Sequence, residues 1–286
     1  MSVQFVVTGA FALSAIAAVS ASAGTPPHLK VGDRWIITSS QTSAETGNDD
    51  SSSSSKDNDV IAERVIAVRA DGVELVYDFP QDTGARERAA TWQLPVRVFK
   101  PLNGPIQLLN EAELESRVDG WLKKAKWTLA ACGKVGFTWT AFRVECDPKS
   151  ALALVGHFAL PDTRAVGDMV TDPKSRTPLP LARGANEKGE PSLTAQLMID
   201  PDQIRRDRAQ TQVAVADITG KPISLDAALV AEQLVKPSGT ITLSYDLDSS
   251  KRVWRRTKVT RIRIAGPGNR VRNEITTQVI ERRPGN

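Results

Sequence analysis

Apolar residues recur at every second position along much of the chain, and this alternation predicts strands separated by short polar turns. Residues 29–38 predict a turn that leads into a strand. Two further β-rich segments, 60–68 and 73–79, flank an Asp-Gly turn and predict a hairpin. The intervening segment, 39–59, is rich in serine and aspartate. Because that composition buries little apolar surface, it predicts a flexible acidic loop.

One segment has the periodicity of a helix. Residues 110–127 carry Leu114, Val118 and Leu122 at helical spacing, and Asn110 is placed to cap the first turn. The charged residues of this segment lie off the apolar stripe. We expect the helix to pack its apolar side against a sheet rather than against a separate partner protein.

The second half of the chain begins with a break in the pattern. Residues 172–191 contain several prolines and glycines and few apolar residues, which predicts a linker or a long loop. This segment would separate an N-terminal β-rich domain, 24–171, from a C-terminal antiparallel β region, 192–286. Alternating residues in the C-terminal region predict strands at 211–218, 223–229, 240–247, 253–264 and 270–281.

The predicted fold class is mainly β (α+β). Successive strands joined by short turns predict antiparallel meander sheets, which could curl into a half-barrel, packed on one amphipathic helix. Besides the elements above, residues 88–100 predict a strand that is interrupted by Pro95.

An uncharged, alanine-rich segment precedes this β-rich chain. Its apolar run, Val3–Val19, is followed by small residues at 21–23, which is typical of a secretory signal and its cleavage site. The run is shorter than the roughly 20 apolar residues of a membrane-spanning helix. The first cation is Lys30, so the usual positive start of a signal is missing. We expect 1–23 to be a signal peptide cleaved after Ala23, and the mature chain to be periplasmic or secreted, with no transmembrane segment.

Two cysteines, Cys132 and Cys146, stand 14 residues apart. In an oxidising compartment this spacing favours a disulfide that closes a local loop, which stabilises the fold by about 3 kcal/mol. Residues 135–144 between the cysteines predict a strand. The catalytic alternative, a reactive thiol paired with His28 or His157, has no local signature.

The charges are unevenly distributed. The chain has a net charge of +4, but the segment from residue 251 onward holds eleven lysines and arginines against two glutamates. A basic stripe on the solvent face of a C-terminal hairpin would attract an anionic lipid, an anionic polymer or an acidic protein. Two alternatives remain open: charged strands that resist aggregation, and neutralisation by the acidic segment 39–59. The candidate anion-binding residues are Arg255, Arg256, Arg261, Arg263, Arg270 and Arg272.

Catalytic signatures are absent. No G-x-S-x-G, H-E-x-x-H, G-x-x-x-x-G-K-[ST] or G-x-G-x-x-G motif occurs, and the two histidines, His28 and His157, are isolated. We therefore expect no metal, no cofactor and no catalytic residue. A hydrolase stays open as an alternative, because its carboxylates can come from distant strands, and because His157 could meet a serine in the fold.

These observations predict an exported, non-enzymatic protein that binds or carries a hydrophobic or envelope-derived ligand. The alternative function is a structural or interaction protein whose arginine-rich hairpin holds an anionic lipid, polymer or acidic partner. A hydrolase is the third hypothesis. Nucleic acid is disfavoured as a partner by the predicted compartment.

Overall fold

The computed structural model describes residues 29–137, 141–186 and 188–285. The predicted signal peptide, 1–23, and His28 lie outside these residues. The strands are β1 (Arg34–Gly47), β2 (Ser52–Arg69), β3 (Gly72–Asp78), β4 (Val96–Pro101), β5 (Gln107–Leu108), β6 (Val135–Phe137), β7 (Ala141–Arg143), β8 (Met169–Val170), β9 (Leu179–Pro180), β10 (Ala182–Ala185), β11 (Pro191–Met198), β12 (Lys236–Leu247), β13 (Val253–Ala265) and β14 (Val271–Pro284). The helices are α1 (Ala85–Ala90), α2 (Glu111–Ala125), α3 (Ser150–Phe158), α4 (Pro201–Ile218) and α5 (Leu225–Glu232).

Ten of these strands form one antiparallel sheet, in the order β10-β11-β12-β13-β14-β1-β2-β3-β4-β5. The first and last strands are neighbours at its centre, with β1 paired to β14 from Trp35 opposite Pro284 to Gly47 opposite Arg272. The sheet is open, because its edges β10 and β5 do not pair. The predicted fold class, a mainly β protein with antiparallel meander sheets packed on helix, is therefore confirmed, and the sheet does not close into a barrel.

One face of the sheet is covered and holds the core. Ile37, Ile241 and Ile280 on this covered face are fully buried, and they belong to one apolar cluster with Leu114, Val118 and Leu122 of α2. The predicted helix 110–127 is thus present as Glu111–Ala125 with its apolar stripe buried. The predicted cap is wrong, because the side-chain oxygen of Asn110 accepts a hydrogen bond from the Arg97 amide at 2.9 Å instead of one from the first turn of α2. The opposite face, called the open face below, carries more exposed residues such as Thr42 and Ala44.

The predicted flexible loop at 39–59 is wrong. These residues belong to β1 and β2, which pair from Arg34 opposite Arg64 to Thr46 opposite Ser52. The reason lies outside the segment: β14 pairs along the other edge of β1, so the backbone groups of β1 are satisfied on both sides. Strand partners, rather than burial of its own side chains, order this polar segment.

The segment 172–191 includes β9 and β10, and β10 is an edge strand of the large sheet. Strands from both sides of the predicted boundary lie in this one sheet, so the segment does not separate two sheets. Residues 159–181, between α3 and β10, are called the strap below. The strap is tied to β13 where the Val253 amide donates to the Asp162 carbonyl at 3.1 Å.

The strands predicted at 211–218 and 223–229 are helices. The carboxylate of Asp200 accepts a hydrogen bond from the Asp202 amide and caps α4, and the hydroxyl of Ser224 accepts one from the Ala227 amide and caps α5. Alternating β-branched residues in α4 resemble the pattern of a strand. The segment is nevertheless a helix, because its first turn is capped and because it packs against α5.

Two other predicted strands are interrupted. The segment 88–100 divides into the end of α1 and β4, with a cis peptide bond before Pro95. The segment 135–144 contains β6 and β7, which pair with each other, while residues 138–140 lie outside the described residues. In the segment 88–100 a short turn at residues 92–93 replaces the middle of the predicted strand.

Candidate functional site

The arginines predicted to bind anions lie on both faces of the sheet. Arg255, Arg261 and Arg263 alternate along β13 and share the open face, whereas Arg256 points to the covered face. Arg270 lies in the turn between β13 and β14. The six arginines, including Arg272 at the start of β14, therefore do not form one continuous stripe.

Two of the six are held in ion pairs. Arg255 lies 3.6 Å from a carboxylate oxygen of Asp246 and 3.4 Å from one of Glu281. Arg272 lies 2.8 Å from Glu45. Because Glu45 belongs to the acidic segment 39–59, that segment does neutralise part of the basic hairpin.

Arg261, Arg263 and Arg270 form no ion pair within the described part of the chain. Arg261 and Arg263 are exposed and alternate with the buried Ile262 and Ile264. Arg270 is exposed as well, and its Nε donates only to the backbone oxygen of a turn residue, at 3.3 Å. These three guanidinium groups are free to meet an anion from solution.

The open face around Arg261 carries neutral polar, basic and apolar side chains and no carboxylate. Its direct cross-strand neighbours are Thr240 and Ile275, and Thr240 is in turn opposite Met198. Ile275 and Met198 are 45% and 59% exposed. Arg261 lies in the middle one of three parallel rows of side chains that cross the strands of the open face, and these three rows together are called the basic face below. The first row is Gln196, Thr242, Val259, Thr277, Thr42 and Lys56; the middle row is Met198, Thr240, Arg261, Ile275, Ala44 and Ser54; the third row is Ser238, Arg263, Asn273, Thr46 and Ser52.

A buried charge network lies on the covered face. The guanidinium of Arg282 lies 3.1 Å from Glu63 and 3.4 Å from Asp162, and Asp162 also accepts from Lys100 Nζ at 2.8 Å. Burial and the Glu63 carboxylate raise the pKa of Tyr77 well above 10.0. Although burial opposes it, the pKa of Asp162 is lowered by its two cations. The network therefore consists of paired charges that join the strap to the sheet.

The structure brings His157 and a serine together. His157 Nε2 lies 2.9 Å from Ser39 Oγ, and Ser39 is only 3% exposed. Burial and the nearby Arg256 lower the pKa of His157. A general base must accept a proton, and Arg256 disfavours the charged imidazole. The pair is thus suited to a structural hydrogen bond, because the hydroxyl is enclosed and the imidazole stays neutral.

Next to this pair, the strap and β12 surround Arg256. The ring of Tyr245, directly opposite Arg256, lies 5.7 Å from the guanidinium carbon of Arg164. Asp172 is nearby, but its carboxylate accepts from Lys258 Nζ at 2.8 Å and from the Lys174 amide at 2.9 Å. Arg256 makes no hydrogen bond or ion pair with any residue that the structure describes.

The predicted disulfide is confirmed. Cys132 and Cys146 are bonded, with their Cα atoms 5.6 Å apart, and both side chains pack against the core. The indole of Trp92, which belongs to the core, donates to the Glu145 carbonyl at 3.2 Å and so ties the residue before Cys146 to the core. The bridge is compatible with an oxidising compartment.

Two surface clefts have volumes of about 540 and 470 Å³. The larger lies beside α1 and is lined in part by Asp59, Asp82 and Glu87. In the described ranges, no group of three or more His, Cys, Asp or Glu residues is arranged to hold a metal ion. No helix in those ranges is long and apolar enough to cross a membrane.

No protein-family model matches the chain, and no curated protein matches it. Among solved structures, it is similar to a conserved protein of unknown function with a hot dog fold from Alicyclobacillus acidocaldarius. The identity is 9%, the alignment covers 91% of this chain and 82% of that one, and the TM-score is 0.12. A similarity this low supports no argument about fold or function.

Sequence reasoning missed several residues of the covered face, namely Glu63, Asp162, Arg164 and Asp172. They stand singly among unrelated residues, so no spacing marked them. One signal was available: neighbouring residues of a strand point to opposite faces, so Arg255 and Arg256 could not share the solvent face.

Proposed function

We propose that this protein is an exported, non-enzymatic binding protein that docks on an anionic lipid surface through its basic face. Export is expected from the predicted signal peptide, and the disulfide supports an oxidising compartment. The observation that carries the docking proposal is the set of unpaired, exposed arginines, Arg261 and Arg263, in three rows without a carboxylate.

The chemistry of the basic face suits a lipid headgroup region. Arginine binds phosphate through two parallel hydrogen bonds, and each basic residue near an anionic membrane contributes about 1 kcal/mol. Ile275 lies beside Arg261, Met198 lies in the same row beyond Thr240, and both side chains are exposed. Together they provide shallow apolar contact next to the phosphate-binding groups.

The hypothesis of a carried hydrophobic ligand stays a prediction. On the covered face, Ile37, Ile241 and Ile280 are enclosed by other side chains. A ligand that entered there would have to displace the strap or a helix. The basic face requires no such movement, and this difference favours docking.

Vesicle co-sedimentation tests the proposal. The mature chain should bind vesicles of phosphatidylcholine and phosphatidylglycerol at low salt, release them at high salt, and leave pure phosphatidylcholine unbound. The double variant Arg261→Gln/Arg263→Gln should bind about 30-fold more weakly, from about 1 kcal/mol for each arginine.

The matched control is Arg183→Gln/Arg206→Gln, which removes two exposed arginines that make no ion pair with a described residue. It should bind like the wild type. If the two double variants bind equally weakly, the loss of binding reflects net charge alone and the proposed face is wrong. The proposal is also overturned if the wild type does not bind anionic vesicles.

A further inference from the structure

Two arginines on the covered face are incompletely paired. Arg164 lies 3.8 Å from Asp168 without a hydrogen bond to it, and its Nε is buried with no hydrogen-bond partner among the described residues. Arg256 is half-buried and has no ion pair there. A desolvated charge costs free energy unless it is paired, so these two groups are a reason to look for a ligand.

Both guanidinium groups are neighbours of Tyr245. Tyr245 on β12 is directly opposite Arg256 on β13, and the guanidinium carbon of Arg164 in the strap lies 5.7 Å from the centroid of the Tyr245 ring. In agreement with this arrangement, burial and Arg164 lower the pKa of Arg256, whereas Tyr245 and Asp172 raise it. The Tyr245 hydroxyl also has no hydrogen-bond partner in the described part of the chain. Two arginines and a tyrosine with donor groups therefore lie at the junction of β12, β13 and the strap.

The neighbouring carboxylates satisfy these donors only in part, because the ion pair between Arg164 and Asp168, at 3.8 Å, is too long for a hydrogen bond. Asp172 is engaged by Lys258 and by the Lys174 amide, and Asp168 accepts from the Ala165 amide at 3.0 Å. The local charge is positive, because Arg164, Arg256 and Lys258 stand against these two carboxylates. His157 adds no charge while it stays neutral.

We propose that Arg164, Arg256 and Tyr245 form a binding site for one phosphate group. A guanidinium presents two parallel N–H donors that match the oxygens of a phosphate, and the phenol supplies a further donor. The side chain of Arg164 is 31% exposed, so a ligand reaches the site from that side. The site is on the opposite face of the sheet from the basic face and does not depend on membrane docking.

Calorimetric titration with two probes tests the site and distinguishes its sources of phosphate. Inorganic phosphate tests the free anion, and monomeric dihexanoyl phosphatidylglycerol tests a lipid headgroup. The wild type should bind at least one of them. Binding of both assigns the site to the phosphate group alone, and binding of the lipid only assigns it to a headgroup with its attached chains.

Variants connect the binding to the proposed residues. Arg256→Gln should weaken binding by about tenfold or more, as expected for a lost charged hydrogen-bond pair, and Arg164→Gln should do the same. Arg206→Gln, an exposed arginine on α4, is the matched control and should bind normally. Unchanged binding in both Arg256→Gln and Arg164→Gln, or no binding by the wild type, would overturn the site.

Thermal unfolding separates lost binding from a damaged fold. Phosphate should raise the Tm of the wild type more than chloride does at equal ionic strength, because a ligand of the folded state stabilises it. In Arg256→Gln this difference should disappear while the Tm without phosphate stays at or above that of the wild type, since a desolvated cation is gone. A phosphate-dependent rise that persists in this variant contradicts the proposal.

Discussion

Arg282 on β14 places its guanidinium 3.1 Å from the carboxylate of Glu63 on β2, across the intervening strand β1. The two residues are 219 positions apart in the chain. Both are almost fully buried, and Asp162 of the strap contacts the same guanidinium. Arg282 therefore links β14 and β2, the two strands that flank β1, to the strap that covers this face.

Removing this arginine should strongly destabilise the fold. Arg282→Met leaves Glu63 buried without its cation, which should lower the free energy of unfolding by about 3–5 kcal/mol. The double variant with Glu63→Gln should lose less than the sum of the two single losses, because no charge is stranded. Urea denaturation followed by circular dichroism measures all of these values.

The control for Arg282 is the next residue along the strand. Arg283 is 69% exposed and contacts Glu281 at 2.5 Å. Arg283→Gln should change the free energy of unfolding by less than about 1 kcal/mol. If the Arg282 and Arg283 variants lose the same stability, the buried network is not what holds the strap.

The disulfide should contribute measurably to stability. Replacing Cys132 and Cys146 by serine should lower the free energy of unfolding by about 3 kcal/mol, because the open chain gains conformational entropy when unfolded. The wild type in excess reductant should show the same loss. A free-thiol assay on the denatured, unreduced protein should detect no thiol, and two thiols per chain would contradict the bridge.

Stability should fall as the pH is lowered below 6.5. Burial and Arg256 lower the pKa of His157 in the folded state, so the unfolded chain binds more protons than the folded chain below pH 6.5. The free energy of unfolding thus decreases from pH 6.5 downward, through the lowered pKa, by at most about 1.4 kcal/mol per pH unit. Above pH 6.5 the contribution of His157 is complete.

His157→Gln isolates this effect. Glutamine keeps a polar group facing Ser39 but does not titrate, so the slope of stability between pH 6.5 and the lowered pKa should become smaller. Denaturant midpoints at several pH values for both chains give the comparison. Identical slopes would mean that His157 is protonated in the folded protein as readily as in the unfolded one.

Gly239 should not tolerate a side chain. Its φ is 155°, and a Cβ added at this position would clash with the backbone carbonyl oxygen of Arg261 on the neighbouring strand. Gly239→Ala should therefore lower the Tm by several degrees, as expected for a loss of about 1 kcal/mol or more. Gly156→Ala, in α3 with open space around it, should be neutral or raise the Tm.

Local sequence patterns correctly predicted those parts of the fold that depend on residues close together in the chain. The stripe of Leu114, Val118 and Leu122 specified α2, and the alternation of Arg261 and Arg263 with buried isoleucines specified the two faces of β13. These periodicities follow from the backbone geometry alone.

The errors arose where distant residues decide the structure. Ser52–Ser55 belong to β2 because they pair with β1, and β1 is itself paired with β14, more than 200 residues later in the chain. The alternating Val213 and Val215 suggested a strand, although the Asp200 cap selected a helix.

The candidate sites follow the same rule. The exposed arginines of the basic face were predicted, because their alternation is visible in the sequence. The cluster of Arg164, Arg256 and Tyr245 combines the strap with two strands, and no spacing along the chain relates these residues. Only the three-dimensional arrangement reveals that they are neighbours.

The pairing of β1 with β14 also has a kinetic consequence. β14 begins nearly 240 residues after the start of β1. Until β14 is available, the edge of β1 that pairs with it stays unpaired. Such distant pairing slows folding and leaves the waiting edge open to association with other chains. We therefore expect a chain truncated before Val271 to aggregate rather than to form half of the sheet.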